Sequence, residues 1–559
     1  MYTSLVYKTD RPWPNDRLKR AAIVGHVDAN RARLWLRTGN PGRFVLLAYA
    51  ADNDPDDSLF QSFRTVPYPD LGSLPDDVGR IPVDIENYDH DATTVVDIER
   101  LEPDTEYRYA LWGLDGDIPR ILLGQDQIYR FRTWPEGVAP LSFAFYSCHM
   151  PYTCSLFGNT NIEGMEIWDA MNEVMERHQV QDFRYLIAGG DQVYADGVDT
   201  LNIWKYLNSV MRREDNTLHP SRDEMLSYYR DIYRGYWGFP ALRKVYSRFP
   251  TYMIWDDHEL GDGWGSYRLN AQQPAEDELD RIFPRRDEKG LNRDDALELM
   301  ARMRSAAEQV YREYQHSHNP ETPPEELDYV IPYPGAATYV LDGRSQRDIN
   351  RKSYRILGKA QFNRFAAWLE VVDPAQTPFV FVVSTVPVLH MSPVLVNADD
   401  SVLTEWSSLQ DDLRDAWEHK LHDMERRALL KALFAAAARG VRIAILSGDV
   451  HVSAAFRMTD QATGATIFQL TSSALTYNKP RLLGWLLGNT VPDEGDSDDG
   501  YHFERLALYT QANFGLLRVD PQQGQAVYQL YGVQQVDHPD PGTPGRPVTH
   551  AIAKIELQF

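Results

Sequence analysis

The chain has 559 residues, long enough for one large and one small domain with an ample core. Hydrophobic residues make up 43% and aromatics 12%, a folded composition that excludes disorder of the chain as a whole. Its 81 acidic and 57 basic residues leave a formal net charge of -24, which excludes nucleic-acid or anionic-membrane binding by bulk charge yet permits a small phosphate substrate at a locally positive site.

In chain order, the amino terminus "MYTSLVYKTDRPWPNDRLKR" shows no charged-then-apolar signal, which predicts a cytoplasmic protein. Residues 1–138 read as a small all-β sandwich domain, with strand-like runs such as "AAIVGHVDANRARLWLRT" and "FVLLAYAAD". The piece "LEPDTEYRYALWG" alternates Leu101, Thr105, Tyr107 and Tyr109 with polar residues, the period of a half-buried strand. Its Pro-containing turn before Tyr-x-Tyr resembles a tyrosine corner. From Leu141 onward, across a second domain spanning 139–559, apolar runs alternate with amphipathic segments, as in an α/β or α+β fold. The runs are "LSFAFYSC", "FRYLIAGGD", "TYMIWDD", "FVFVVST", "VRIAILSGD" and "ATIFQLTSS". Helical stretches lie between them: "GMEIWDAMNEVMERHQ", "ALELMARMRSAAEQVYREYQ", "AQFNRFAAWLEVV" and "MERRALLKALFAAAARG". A charged, Pro-marked insertion over about 268–326 is expected to wrap the surface. The longest apolar runs are too short for a membrane span, and two cysteines, Cys148 and Cys154, are too few for a disulfide framework.

Four of the apolar runs end in metal-capable side chains. The first delivers Cys148 and His149, the second Asp191, Tyr194 and Asp196. The third ends in Asp256, Asp257, His258 and Glu259 with Asp262 beyond, and the fourth in Asp449 and His451. Ligands in open α/β sheets bind at the carboxyl ends of strands, so these groups are expected to converge. Each ending alone has an ordinary explanation: a buried cysteine, a Gly-Asp turn, a polar strand edge. Four together, with a double aspartate lacking a nearby Lys or Arg in sequence, predict a metal centre. Thiolate and phenolate favour ferric iron, and the carboxylates a harder divalent ion: calcium foremost, with magnesium, manganese or zinc as alternatives. The Gly-Asp-x-x-Tyr spacing permits Asp191 to bridge two ions while Tyr194 binds one.

"GGDQVYADG", "WDDHE", "LSGDVH" and the "SCH" strand resemble the alkaline phosphatase D (PhoD-like) family of calcineurin-like metallophosphatases. "LDGRSQRD" and "LGKAQFNRFAAWL" are similar to further segments of that family, and the β-rich start to its leading sandwich domain. The resemblance implies a metallophosphatase sandwich of two β-sheets flanked by helices. It implies Cys148, Asp191, Tyr194 and His451 around the ferric ion, and Asp257 and Asp449 with the shared Asp191 around the second. It implies His258 as the catalytic acid, protonating or stabilising the leaving alkoxide. Asp256, Glu259 and Asp262 then support the site, and Arg344 or Arg347 either meets phosphate oxygens or forms a structural ion pair. The chain departs from the family at Asp262-Gly263, where asparagines are common, and at Ser384-Thr385, where no ligand is assigned. The expected activity is metal-dependent hydrolysis of a small phosphomonoester or phosphodiester. The alternative is a non-catalytic, metal-stabilised scaffold that recruits a partner through the β-sandwich. The charged insertion and the loop "TSSALTYNKPRLLGWLLGN" are the expected shapers of substrate choice.

Overall fold

The computed structural model describes residues 13–65, 74–114, 120–124, 127–154, 160–179, 182–198, 201–214, 217–268, 279–390, 414–476, 491–534 and 546–559. Two mixed sheets organise the larger part. One has six strands in the order Thr251–Ile254, Phe183–Gly189, Leu141–Tyr146, Asn513–Asp520, Gln525–Gly532 and Ala553–Glu556. Its first three strands run parallel and the rest antiparallel. The other sheet has eight strands, and its parallel centre is Ala336–Val340, Phe379–Ser384, Arg442–Ser447 and Thr466–Thr471. The central strands are buried along their whole length, which is why they read as continuous apolar runs rather than alternating ones. Phe143 of the first sheet meets Phe381 of the second edge-to-face, with centroids 5.0 Å apart. The two sheets thus share a core.

The helices Glu166–Gln179, Gly358–Val371 and Asp423–Ala438 fall on stretches expected from sequence. Three more were not anticipated: Ile203–Val210, Arg222–Tyr236 and Pro240–Tyr246. The middle one starts from a Ser221/Glu224 capping box and buries four tyrosines, Arg230 and Asp231 among its apolar residues, so its pattern is not plainly amphipathic. Within the charged insertion, helix Arg293–Tyr314 is capped by Asn292 and buries Leu299, Met303, Val310, Tyr311 and Tyr314. It therefore does not simply wrap the surface as expected: its apolar face is part of the core, and only the charged face meets solvent. Residues 269–278 of the insertion, and 477–489 of the loop expected to shape substrate choice, lie outside the described residues.

The amino-terminal region forms two antiparallel sheets, one of three strands and one of five, interrupted by a short helix at Ser58–Thr65. The Tyr107 hydroxyl accepts a 2.8 Å hydrogen bond from the Glu102 backbone N–H, the contact of a tyrosine corner. These sheets do not stand apart. Trp35 packs edge-on to Trp237 at 6.1 Å and against Tyr314 at 5.3 Å, and its indole N–H donates to the Glu313 carbonyl at 2.7 Å. A Cβ on Gly25 would meet the His318 carbonyl oxygen at 2.2 Å, so backbone touches backbone across this junction.

Candidate metal centre

The carboxyl ends of the strands Leu141–Tyr146, Phe183–Gly189, Thr251–Ile254 and Arg442–Ser447 meet between the two sheets. A Cβ on Gly448 would lie 2.2 Å from Ser147 Oγ, and one on Gly190, at φ 106°, 2.9 Å from the Asp256 Cβ. Only glycine allows the strand ends to come this close. Cys148, Asp191, Asp449 and His451 all hold positive φ, between 53° and 63°. For residues other than glycine that is a strained conformation, of the kind that clusters at functional sites.

One carboxylate oxygen from each of Asp191, Asp256, Asp257 and Asp449 lies within 4.8 Å of the others. Asp191 Oδ1, Asp256 Oδ2 and Asp257 Oδ1 are buried without a hydrogen-bond partner. Burial, and then repulsion from Asp257, Asp256 and Glu259 against the pull of His258, holds the Asp191 pKa well above the ordinary range. Burial and the charges of Asp256, Asp257 and Asp191 do the same to Asp449. Burial raises Asp256 to about 6 despite Arg344. Carboxylates so placed cannot all ionise unless more positive charge joins them, so the donor set fits bound cations.

Around Asp191 the donors become softer. Cys148 Sγ sits 3.3 Å from Asp191 Oδ2 and 3.2 Å from Ser473 Oγ, and the Tyr194 hydroxyl lies 3.4 Å from the same Asp191 oxygen. Burial, with Asp191 and Asp449 beside it, pushes the Cys148 thiol up, so a thiolate there also requires a cation. His451 is anchored through its backbone N–H, which donates to Ser473 Oγ at 3.0 Å. Ser473 thus touches two of the expected ligands, although no signal in its sequence neighbourhood marks it.

His258 stacks on the Tyr194 ring with centroids 4.0 Å apart. Its Nδ1 lies 2.8 Å from Asp196 Oδ1. Burial alone would depress this imidazolium, but Asp196, Asp257 and Asp191 outweigh it and raise its pKa well above the usual value. In the sequence Asp196 is only a residue beyond Tyr194; its pairing with His258 spans 62 positions and exists only through folding. Asp262 joins Asp196 and His258 in a second cluster, at the exposed side of the centre.

The supporting residues divide differently from expectation. Glu259 faces inward as an anchor: it accepts from the backbone N–H groups of Asp191 (3.2 Å), Gln192 (2.7 Å) and Asp256 (2.9 Å), and from Gln315 Nε2 (3.0 Å). Burial raises its pKa to about 7. Arg344 and Arg347 both engage buried carboxylates. The Arg344 side chain is fully buried; its Nε donates to Asp256 and its Nη2 to Asp415, with Asp257 Oδ1 at 3.4 Å. Arg347 pairs with Asp415 at 3.1 Å. The structural ion pair is the arrangement observed, because burial forces each guanidinium onto the carboxylates beside it. Arg344 also supplies the positive neighbour that the double aspartate lacks in sequence, and Asp415 pairs with it from a segment to which no site role was assigned. His149 is buried structure, with Nδ1 3.2 Å from Thr476 Oγ1 and a pKa lowered by burial to about 3.

Residues 143–483, more than half of the chain, match the family model described as PhoD-like phosphatase. A protein of Saccharomyces cerevisiae, the uncharacterized protein YGR266W, is 23% identical over 373 residues, covering 56% of this chain and 51% of that protein. The chain thus spans about half the length of this curated relative. Among solved structures, one titled "Structure of PhoD" superposes with a TM-score of 0.61 at 14% identity, covering 98% of this chain and 91% of the other. At that identity the likeness shows the fold. A purple acid phosphatase, PPD1, from seeds of yellow lupin (Lupinus luteus) aligns at a TM-score of 0.47 and 11% identity, over 92% of this chain and 72% of its own.

Proposed function

The chain belongs to the PhoD-like phosphatase family, and from that premise we propose that it is a metal-dependent phosphoric ester hydrolase acting on a small phosphomonoester or phosphodiester. The observation that carries this reading is the convergence of Asp191, Asp256, Asp257 and Asp449, three with a buried oxygen that accepts no hydrogen bond, beside a histidine held by its own carboxylate. In this reading Cys148, Asp191, Tyr194 and His451 would hold ferric iron. Asp257 and Asp449, with Asp191, would hold a divalent ion, calcium in preference to magnesium, manganese or zinc. Two such ions would supply positive charge to the phosphoryl oxygens and lower the pKa of water.

The residues of the chain do the remaining work. Water attacks phosphorus opposite the leaving oxygen, the P–O ester bond breaks, His258 gives its proton to the departing alkoxide, and the proton released by the attacking water restores the imidazolium by way of solvent. Asp196 at Nδ1 fixes the tautomer and the ring orientation, which leaves Nε2 for the substrate. Tyr194, stacked on the ring, limits its rotation. Glu259 ties the ends of two strands together behind the ligands, and Arg344 offsets the charge of Asp256 without touching substrate.

The test is turnover of an aryl phosphate monoester and a diester by wild type and His258→Ala, with the metal content of both measured. The expected result is turnover of at least one ester by wild type, and a loss of about 100- to 10,000-fold in kcat for the variant with its metals retained. Metal-replete wild type that hydrolyses neither ester would sink the enzyme reading in favour of a metal-stabilised scaffold.

A further inference from the structure

Away from the metal centre lies a cavity of about 790 Å³ whose charge contradicts that of the molecule. It opens between the segments 17–20 and 37–40, the strand Arg120–Leu123 with Gly124, and the helices Arg222–Tyr236 and Pro240–Tyr246. Six cations line it: Arg17, Lys19, Arg20, Arg37, Arg234 and Arg243. Among the described lining residues there is no Asp or Glu. In a chain of net charge -24, six cations around one cavity are not explained by average composition.

Two carboxylates behind the wall absorb part of this charge. Asp91 pairs with Arg37 at 3.2 Å and Arg234 at 3.3 Å, and Asp231 pairs with Arg17 at 3.1 Å. These pairs fix three guanidiniums in place while leaving the positive charges in excess. Lys19, Arg20 and Arg243 form no ion pair with the described residues. Arg243 Nε is buried yet has no hydrogen-bond partner, a costly arrangement that an acceptor in the cavity would relieve. Leu122, Tyr129 and Pro240 add apolar surface. Fixed and unpaired cations, an unpartnered buried donor and an apolar wall together describe a receptor for an anion with an organic body.

We propose that this cleft binds a phosphorylated organic molecule of mononucleotide size, at a site separate from the metal centre. Its volume falls within the range of about 300–1,000 Å³ found for small-molecule sites. The phosphate groups meet Lys19, Arg20 and Arg243, and the body lies against Leu122 and Tyr129. None of the residues assigned to metals or to proton transfer lines the cleft, so occupancy and hydrolysis are separable.

The probe is ADP, titrated calorimetrically into the metal-replete His258→Ala protein, in which turnover is suppressed, and into the same protein also carrying Lys19→Glu and Arg243→Glu. The expected result is a saturable isotherm that weakens about tenfold or more in the charge-reversed protein. In the wild-type background, Lys19→Glu/Arg243→Glu is expected to hydrolyse aryl phosphate at the parent rate, which also shows that it folds. Arg20→Glu, at the exposed rim, repeats the test should the double variant fail to fold. Identical isotherms with and without the charge reversals, or no ADP binding at all, would overturn the proposal. Loss of aryl phosphate turnover together with ADP binding, in a folded variant, would overturn it too, by placing these cations in the catalytic site.

Discussion

Asp415 balances the charge of the metal centre from behind. Burial would raise its pKa, but Arg344 and Arg347 pull it down to about 2. A carboxyl whose folded pKa lies below its ordinary 3.8 stabilises the fold above that value and loses the contribution as pH falls toward 2. Asp415→Asn leaves two buried guanidiniums short of a partner and is expected to cost about 3–5 kcal/mol at neutral pH. Denaturant melts of variant and wild type should converge as the pH drops from about 4 to about 2. This role was not legible in the sequence. Asp415 pairs with Arg344 across 71 positions; it lies in the segment "DDLRDAWEHKLHDMERRALLKAL", which is similar to the family's, but its pairing becomes visible only when burial forces the charges together. Arg344 was legible as a candidate, but its direction was not: a guanidinium in a family segment reads equally as a phosphate contact or as a structural ion pair.

The strand, more than the single residue, carries the chemistry. Each of the four strands that meet at the centre ends in a segment that presents its donors, and the left-handed φ at Cys148, Asp191, Asp449 and His451 belongs to those segments. Holding non-glycine residues there costs about 1–3 kcal/mol each, repaid by the packing and bonds around them. Gly448 sets the spacing between two of these ends. With a Cβ 2.2 Å from Ser147 Oγ, Gly448→Ala must displace one strand end. It is expected to lower metal affinity about 10- to 100-fold, as lost support behind ligands does, while thermal stability falls by about 1–3 kcal/mol. Elemental analysis after dialysis checks the first, and calorimetry the second. Affinity equal to wild type would show that the ends need not meet this closely. The six apolar runs read from sequence all form strands, because length, β-branching and a terminal polar switch are local signals. Helix Arg222–Tyr236 is hard to read in the sequence because buried tyrosines, Arg230 and Asp231 blur its period, whereas Ile203–Val210 and Pro240–Tyr246, at 8 and 7 residues, are too short for a period to stand out.

At the scale of the whole molecule, the amino-terminal sheets and the metal-bearing sheets are packed as one apolar body. One continuous cluster of buried residues runs from Leu34 and Leu46 through Trp35 and Trp237 to Phe143 and Phe381. Trp35→Ala, at this junction, is expected to cost about 3–5 kcal/mol. A single unfolding transition, shifted down for near-ultraviolet and activity probes alike, would show that the two parts unfold together. Two separated transitions, with the metal centre surviving the first, would contradict that coupling. Among the described residues no helix is long and apolar enough to cross a membrane.

The sequence by itself determined the strands, most of the metal-capable residues and the family. Those signals are local: an apolar run, its polar ending and the spacing of donors within a few positions. The tertiary structure alone decided which charges neutralise which. It paired Asp196 with His258, set Arg344 between Asp256 and Asp415, turned Glu259 inward, and gathered six cations around one cavity on an acidic protein. Coulomb energies and desolvation depend on distance and burial, and chain position fixes neither until the sheets have packed.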